Sequence, residues 1–308
     1  MPDKPRCEEE RMARVGDVTA ADPFVVHRSL LFTVAYEMLG SAADAEDVVQ
    51  EAWLRWDGVE QDTVRDPRAY LVRVVTRQAL NKLRAQARRR EDYIGEWLPE
   101  PLLTSPDVAE DVELAESVSF AMLTVLQTLG PIERAVFVLR EVFDTPYDEI
   151  AGTTGKSAAA VRQIAHRARE HVAARRPRVA VSRAEQDAVV RRLLIALRGG
   201  DMRGLLDLMA PDVVVVADGG GLAQAARRPL RGAELVANLL AKYAEHAPEG
   251  SIETVAWFNG EPAIRIDVAG RIDTAVSVVV EDGLITRIYA VRNPHKLGRL
   301  GEAASLSR

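Results

Sequence analysis

The polar side chains that follow Gly155 are spaced for contact with DNA. Gly155 can form a tight turn because glycine adopts positive φ at little cost, and Ser157 can cap the helix that follows. One face of that helix is apolar and is formed by Val161, Ile164, Ala165, Ala168 and Val172. The pattern predicts a helix-turn-helix whose second helix enters the major groove. The residues expected to contact DNA are Ser157, Ala160, Arg162, Gln163, His166, Arg167 and Arg169.

A second basic helix is predicted upstream, where Asp66 and Pro67 have the residue types of an N-cap and a first helical position. The pattern extends this helix to about Arg90, with a buried stripe at Val72, Val75, Ala79 and Leu83. Few acids lie within it, so ion pairs along the helix do not account for its charge. Its aligned polar side chains suit a row of phosphates, and they are Arg73, Arg77, Asn81, Arg84 and Arg88.

An acidic helix precedes the basic one. Ser41 and Asp44 form a start similar to a capping box, and the helix runs from about Asp44 through Trp56. The face predicted to be buried contains Val49, Ala52, Trp53 and Trp56. The opposite face contains Asp44, Asp47 and Glu51, which taken alone indicate a solvated acidic surface near a helix N-terminus.

The composition is that of a globular protein of two or three domains, with 308 residues and 47% hydrophobic content. The formal net charge is −6, but the basic residues are clustered, and patches decide phosphate binding. Cys7 is the only cysteine, which excludes an intrachain disulfide or a cysteine metal cluster. No apolar run approaches a membrane span. We expect a cytoplasmic protein with no cofactor, no metal and no membrane partner.

The rest of the chain divides into a linker and an α+β unit. Residues 96–116 are acidic and rich in proline, and the apolar Trp97-Leu98-Pro99 cluster is expected to dock on a domain. Residues 114–143 are predicted to be helical. Beyond residue 183, helices are predicted at 184–198, 201–209 and 231–246, and strands at 213–217, 251–258, 263–268, 272–280 and 284–292. Asn259-Gly260 and Asp282-Gly283 are strong hairpin signals. The order predicts a curved sheet wrapped around helices.

The two basic segments and the acidic helix resemble, in order and separation, a bacterial RNA polymerase sigma factor of the extracytoplasmic-function (ECF) type. The resemblance implies contacts with the polymerase β′ clamp helices at Asp44, Asp47, Gln50 and Glu51, and a contact with the β flap by the second domain. It implies that loop 58–65 captures a flipped promoter base and that the helix-turn-helix reads the −35 element. The residues placed at the −10 element are Arg73, Arg77, Gln78, Asn81, Lys82, Arg84 and Arg88.

The α+β unit resembles a SnoaL-like domain of the nuclear-transport-factor-2 superfamily. A subgroup of ECF sigma factors, represented by the mycobacterial and actinobacterial sigma-J proteins, carries such a domain with DGGGK, NPDKL and WLPEP motifs. Here WLPEP is intact at 97–101, while Leu222 replaces the lysine and His295 the aspartate. The resemblance implies that this domain modulates the sigma factor in cis, without a dedicated anti-sigma factor. The implied regulatory contacts are Trp97, Leu98, Pro99, Asp218, Gly219, Gly220, Gly221, Asn293, Pro294 and Lys296.

The predicted fold class is therefore two all-α domains, a region 2 bundle and a region 4 helix-turn-helix, followed by an α+β SnoaL-like cone. The predicted divisions are a tail at 1–21, region 2 at 22–93, a linker at 94–115, region 4 at 116–178, the cone at 183–300 and a tail at 301–308. We expect the free chain to be compact, with the cone and the linker bridging the DNA-binding parts.

Other interpretations remain open at this stage. The basic helix 158–172 suits an ordinary surface helix, and the glycine triplet suits a simple tight turn. The chain also suits a dimeric helix-turn-helix activator, although that leaves the acidic helix unexplained. The cone suits a small unidentified ligand or an isomerase site, for which the available side chains are Asp212, Asp218, His246, Asp267, Asp273 and His295. No pair of these is spaced to compel catalysis, and we expect no enzyme.

Overall fold

The computed structural model describes residues 22–91, 93–176 and 181–308, and for 87–91, 109 and 110 it describes the backbone alone. The predicted tail at 1–21 and the side chain of Arg88 therefore lie outside the described residues. None of the helices in the described ranges is long and apolar enough to cross a membrane.

Three helices form the first domain, and each begins where a side chain accepts a hydrogen bond from the first turn. They are α1 (Pro23–Leu39), α2 (Ala42–Asp57) and α3 (Pro67–Glu91). Ser41 Oγ accepts from Asp44 N at 3.2 Å and Asp66 Oδ1 from Ala69 N at 2.9 Å, so both predicted caps are confirmed. The predicted burial of Trp53 is wrong, since its exposed fraction is 38%. The buried stripe follows Ala45, Val48, Ala52 and Trp56, and Trp53 lies about 100° around the helix from Ala52.

The second domain contains the predicted helix-turn-helix. Gly155 ends the first helix of the motif at φ +69°, and Ser157 Oγ accepts from Ala160 N at 3.2 Å at the start of the second. The five residues predicted for the apolar face of the second helix are all buried. The helices of this domain are α4 (Val112–Val118), α5 (Phe120–Leu126), α6 (Pro131–Phe137) continued by a π-helical turn (Val138–Val142), α7 (Tyr147–Thr154) and α8 (Ala158–Ala173).

The two helical domains share one hydrophobic core. Buried side chains from α1–α3 and from α5–α8 form a single contiguous cluster, which includes Leu31, Trp56, Leu71, Leu123, Val138 and Val161. Helix α4 also crosses the predicted boundary between linker and second domain at residues 115 and 116. Apolar burial of this kind is the main favourable term in folding, so the two helical domains are packed together rather than tethered loosely.

The last third is an α+β domain built on one six-stranded sheet. The strand order is β2-β1-β6-β5-β4-β3, with β1 parallel to β6 and the other neighbours antiparallel. The strands are β1 (Met209–Asp218), β2 (Leu230–Arg231), β3 (Ile252–Phe258), β4 (Glu261–Val268), β5 (Arg271–Glu281) and β6 (Leu284–Val291). The helices are α9 (Arg183–Gly199), α10 (Met202–Asp207), α11 (Ala233–Glu245) and α12 (Pro294–Leu297). The predicted helices and strands are confirmed in type, and β1 is longer than predicted.

Both predicted hairpin turns are confirmed, because Asn259 and Asp282 have φ of +56° and +50° and each is followed by a glycine with positive φ. Helices α9 and α11 pack on one face of the sheet through an aliphatic cluster that includes Leu193, Val236 and Ile264. The opposite face packs against the helical part of the chain. Leu98 of the linker and Phe120 of α5 join Phe258, Ala263, Tyr289 and Val291 in a third buried cluster.

Candidate nucleic-acid interface and the contacts that hold it

The basic face of α8 is in solvent. Arg162, Gln163, His166, Arg167 and Arg169 are exposed, while Ala160 is half-buried. Ser157 caps the helix, so its hydroxyl already accepts one backbone hydrogen bond. Two further features order the face: the Arg162 guanidinium lies 5.6 Å from the ring centre of Tyr147, and Arg169 lies 3.6 Å from a carboxylate oxygen of Glu141. The face predicted to read the −35 element is therefore available to a ligand.

The basic row on α3 is partly occupied by the second domain. Arg77 donates from Nη2 to the carbonyl of Gly152 at 2.8 Å and from Nε to that of Thr153 at 3.4 Å. These carbonyls end α7, where the helix dipole is negative and attracts a cation. Arg73, Asn81 and Arg84 are exposed. One predicted −10 contact is therefore held by the first helix of the helix-turn-helix.

Of the other residues predicted to contact the −10 element, one is buried in the first domain and one forms ion pairs there. Gln78 is buried, with an exposed fraction of 6%. Lys82 Nζ lies 3.0 Å from Asp44 Oδ1 and 2.7 Å from Asp47 Oδ2. Burial opposes the charge of Lys82, but the hydrogen bonds that its ammonium donates to the two carboxylates raise its pKa above the ordinary value. Two of the predicted polymerase contacts, Asp44 and Asp47, thus both pair with Lys82.

The remaining predicted polymerase contacts, Gln50 and Glu51, are exposed on α2. Loop 58–65 contains a 3₁₀ turn, Gln61–Thr63, and borders a cleft of about 580 Å³. Tyr70 on α3 and the acids Asp148 and Glu149 on α7 also line this cleft. The loop itself has no aromatic residue, and the aromatic ring that lines the cleft is that of Tyr70, a residue that the sequence pattern had not singled out.

The carboxylate of Asp218 is the centre of a buried network at the end of β1. Oδ1 accepts from the Tyr93 hydroxyl at 2.5 Å and from Gly220 N at 3.0 Å. Oδ2 accepts from Leu98 N at 2.9 Å and from Lys296 Nζ at 2.7 Å. Asp218 is fully buried, and burial and the Asp218 carboxylate together raise the pKa of Tyr93. A buried carboxylate with four donors is fully satisfied, so it fixes the linker to the sheet.

Lys296 and Asn293 complete this network. Lys296 Nζ donates to the Leu98 carbonyl at 2.5 Å and lies 3.6 Å from the ring centre of Trp97. Asn293 Nδ2 donates to the Tyr93 hydroxyl at 2.8 Å, and its Oδ1 caps α12. The structure thus brings together five of the residues that were expected to make regulatory contacts, namely Trp97, Leu98, Asp218, Asn293 and Lys296. Pro294 is exposed, and Pro99 is buried beside this network.

The glycine triplet serves both predicted purposes. Gly220 and Gly221 have positive φ, which makes the turn, and their lack of a side chain permits close approach. A Cβ on Gly221 would lie 3.1 Å from Ile94 of the linker, and one on Gly220 would collide with the Asn293 amide. On Gly219 it would collide with the Ala223 carbonyl. The two residues that depart from the family motifs, Leu222 and His295, are exposed and lie outside the network.

Asn259 joins three parts of the chain through one side chain. Its Nδ2 donates to the Tyr36 hydroxyl of α1 at 2.7 Å and to the Val118 carbonyl of α4 at 2.9 Å. Its Oδ1 accepts from Leu102 N of the linker at 3.0 Å. Asn259 is fully buried, so these bonds are made without competition from water. The sequence indicates only a hairpin turn here.

The linker also runs along the edge of the sheet and caps a helix. Leu103 pairs with Phe258 at the end of β3, and Thr104 N donates to the Trp257 carbonyl at 2.9 Å. Glu100 Oε2 accepts from Ser41 Oγ at 3.0 Å and from Ala43 N at 3.2 Å at the start of α2. Burial raises the pKa of Glu100, while these hydrogen bonds lower it.

A second polar cluster lies between α1 and the second domain. Glu37 Oε1 accepts from Ser117 Oγ of α4 at 2.7 Å, and the Glu37 carbonyl accepts from Arg134 Nε of α6 at 2.9 Å. Glu37 and Arg134 are both buried. Burial raises the pKa of Glu37 to about 8, while the Ser117 hydrogen bond and the Arg134 charge lower it.

Comparison with known proteins agrees with this architecture. Residues 24–89 match the family profile of Sigma-70 region 2, and residues 119–172 match that of Sigma-70 region 4. The ECF RNA polymerase sigma factor SigJ of Mycobacterium tuberculosis is 37% identical over 286 residues, which cover 89% of this chain and 91% of SigJ. The chain belongs to the ECF RNA polymerase sigma factors.

Two further comparisons extend this relationship over the whole sigma factor. The probable ECF sigma factor SigI of Mycobacterium tuberculosis is 32% identical over 94% of this chain and 98% of SigI. The crystal structure of SigJ superposes with a TM-score of 0.73 and covers 90% of this chain and 97% of that chain. The C-terminal α+β domain is therefore shared with SigJ and is part of the common architecture.

Sigma factors are transcription initiation factors and not enzymes, and the acids considered for catalysis have other partners. Asp267 pairs with Arg265 at 2.8 Å, Asp273 pairs with Arg292 at 2.9 Å, and Asp218 holds the linker. His295 and Asp212 are exposed.

Proposed function

We propose that this sigma factor reads the −35 element with α8 and the −10 element with α3, and that it works in the cytoplasm bound to core RNA polymerase. The exposed cations on α8 and at Arg73 and Arg84 support the DNA contacts. The exposed Gln50 and Glu51 support docking of α2 on the β′ clamp helices, with the second domain on the β flap.

We further propose that the C-terminal domain regulates this activity in cis by holding a closed arrangement. Asn259 carries this proposal, because its side chain bonds to α1, α4 and the linker at once. The Asp218 network fixes the same linker a second time. Such a domain takes the place of a separate anti-sigma factor, so none dedicated to this chain is expected. A small ligand in the cone stays a prediction.

The closed arrangement is unsuited to a promoter. The −10 and −35 elements are about 25 base pairs apart, which at about 3.4 Å per pair is roughly 85 Å of duplex. Here α7 of the second domain contacts Arg77 of the first domain. The two domains must therefore separate. Polymerase that binds the open form more tightly shifts the equilibrium towards it by that difference in affinity.

Replacement of Asn259 by glycine tests the proposal. Glycine keeps the positive φ of the turn but removes three hydrogen bonds and leaves buried partners unsatisfied, at about 1–3 kcal/mol for each such group. We expect Asn259→Gly to raise the affinity for core polymerase by about tenfold or more and to increase run-off transcription at limiting polymerase. Asp282→Gly is the matched control, since Asp282 occupies the same turn position in an exposed hairpin. Equal affinities of the two variants would refute cis inhibition.

A further inference from the structure

We propose that residues 301–308 form a strap that ties the C-terminal domain across the seam between the two DNA-binding domains and sets how readily they separate. The strap follows Leu300, which is buried in the cluster that joins the sheet to the linker. This inference rests on the proposed closed arrangement. The sequence pattern predicts only a tail here, because small and polar residues at the end of a domain are typical of unattached segments.

Residues 304–307 of the strap contact the linker and α1. Ala304 N donates to the Leu103 carbonyl at 2.8 Å, beside the point where the linker pairs with β3. The hydroxyls of Ser305 and Ser29 lie 3.0 Å apart. Ser307 N donates to Thr33 Oγ1 at 3.1 Å, and Thr33 is fully buried. The backbone of the strap is therefore placed by specific partners on α1 and the linker.

Apolar contacts support the same placement. Ala304 and Leu306 are partly buried against the core that the two helical domains share. They alternate with Ser305 and Ser307, which bond to α1.

The far end of the strap pairs with two acids at the start of α4, the first helix of the second domain. The Arg308 guanidinium pairs with Asp111 Oδ2 at 3.2 Å and also with Glu113. The other carboxylate oxygen of Asp111, Oδ1, caps α4 by accepting a hydrogen bond from Leu114 N at 3.0 Å. Arg308 also lines the cleft of about 1180 Å³ between the second domain and the α+β domain.

These contacts place the strap across the seam. Ser29 and Thr33 lie on α1 of the first domain, whereas Glu113 lies on α4 of the second domain and Asp111 caps that helix. The two domains cannot separate without breaking one set of contacts. The ion pairs of Arg308 are partly exposed, so salt screens them and each is individually weak. The strap thus adds weak, easily broken contacts to the buried contacts of Asn259 and Asp218.

Charge reversal at Arg308 in the full chain tests the strap. We expect Arg308→Glu to raise the affinity for core polymerase by about fivefold, because it exchanges two attractions for two repulsions. In the same variant, hydrogen exchange at the amides of Ala304 and Ser307 should be faster than in the wild type. Arg203→Glu is the matched control, since Arg203 is exposed on α10 and undergoes the same change of charge. Rising salt should narrow the difference in polymerase affinity between the wild type and Arg308→Glu, because it screens the ion pairs of Arg308.

The outcomes separate the strap from the proposed function. If Asn259→Gly strengthens polymerase binding while Arg308→Glu behaves like Arg203→Glu, the strap is refuted and cis inhibition stands. If neither variant differs from its control, both fail. Fast exchange of the Ala304 and Ser307 amides in the wild type would also overturn the strap, because it would show that these bonds do not persist.

Discussion

At the scale of single residues, Asp218 and Lys296 differ from the other ion pairs of the C-terminal domain. Their side chains are 0% and 9% exposed, whereas Asp273 and Arg292 are 31% and 32% exposed at a similar separation. Water and salt weaken the second pair, but the first is shielded, and loss of one partner leaves an uncompensated buried charge. The Asp218 pair also holds the linker through Leu98.

We therefore expect Lys296→Met to lower the free energy of unfolding by about 3–5 kcal/mol, measured by urea denaturation. Arg292→Met is the comparison and should cost about 1 kcal/mol or less. Combining Lys296→Met with Asp218→Asn should recover part of the loss, since no buried charge remains. Similar losses for the two single variants would contradict the argument from burial.

At the scale of the elements, α8 presents its basic face whatever the arrangement of the domains, because its opposite face is buried in the core. Helix α3 differs, since Arg77 is held by the end of α7 and Lys82 by α2. The face predicted to read the −35 element is thus exposed in this structure, while two residues predicted to read the −10 element are paired within the protein.

We expect Arg167→Ala to weaken binding of the polymerase–sigma complex to promoter DNA and to reduce the slope of log K against log salt by about one, as loss of one phosphate contact requires. The measurement is a salt titration of promoter affinity. Arg192→Ala removes an exposed arginine from α9 and should leave the slope unchanged. An unchanged slope for Arg167→Ala would remove this residue from the DNA interface.

At the scale of the whole molecule, the seam between the first and second domains contains a buried acid, Glu37. Burial raises the pKa of Glu37 to about 8 from an ordinary value of 4.5. An open form that hydrates Glu37 restores the ordinary value, so the closed form binds more protons between these limits. The stabilisation by the proton is complete below about pH 4.5 and is lost as the pH rises through about 8.

We therefore expect polymerase to bind the wild type more tightly at pH 8 than at pH 6, because the closed form is weaker at the higher pH. Glu37→Gln keeps a neutral acceptor for Ser117 and should bind with a smaller pH dependence, measured against the same polymerase preparation. Glu261, whose pKa burial raises to about 7, contributes in the same direction and should preserve part of the trend. An identical pH dependence in Glu37→Gln would exclude Glu37 from the seam equilibrium.

The sequence predicted the local features well, because helix and strand periodicity, caps and hairpin turns are encoded by near neighbours. The helix-turn-helix, the cap at Ser157 and the turn at Asn259 are examples. Resemblance to a family also named the WLPEP residues, Asp218 and Lys296 as regulatory contacts, without indicating that they contact one another. The prediction that Trp53 is buried was wrong, because the helical period does not show how much of α2 is covered by the neighbouring helices.

The residue pattern by itself determined which helices carry cations, which strands pair as hairpins and where one fold class gives way to another. Only the tertiary structure decided that the two DNA-binding domains share a core, that Gln78 is buried, and that Asn259 and residues 301–308 join distant parts of the chain. The reason is physical. Local signals depend on the backbone period, whereas Asn259 meets Tyr36 across 223 residues, and such a contact depends on the packing of all that lies between.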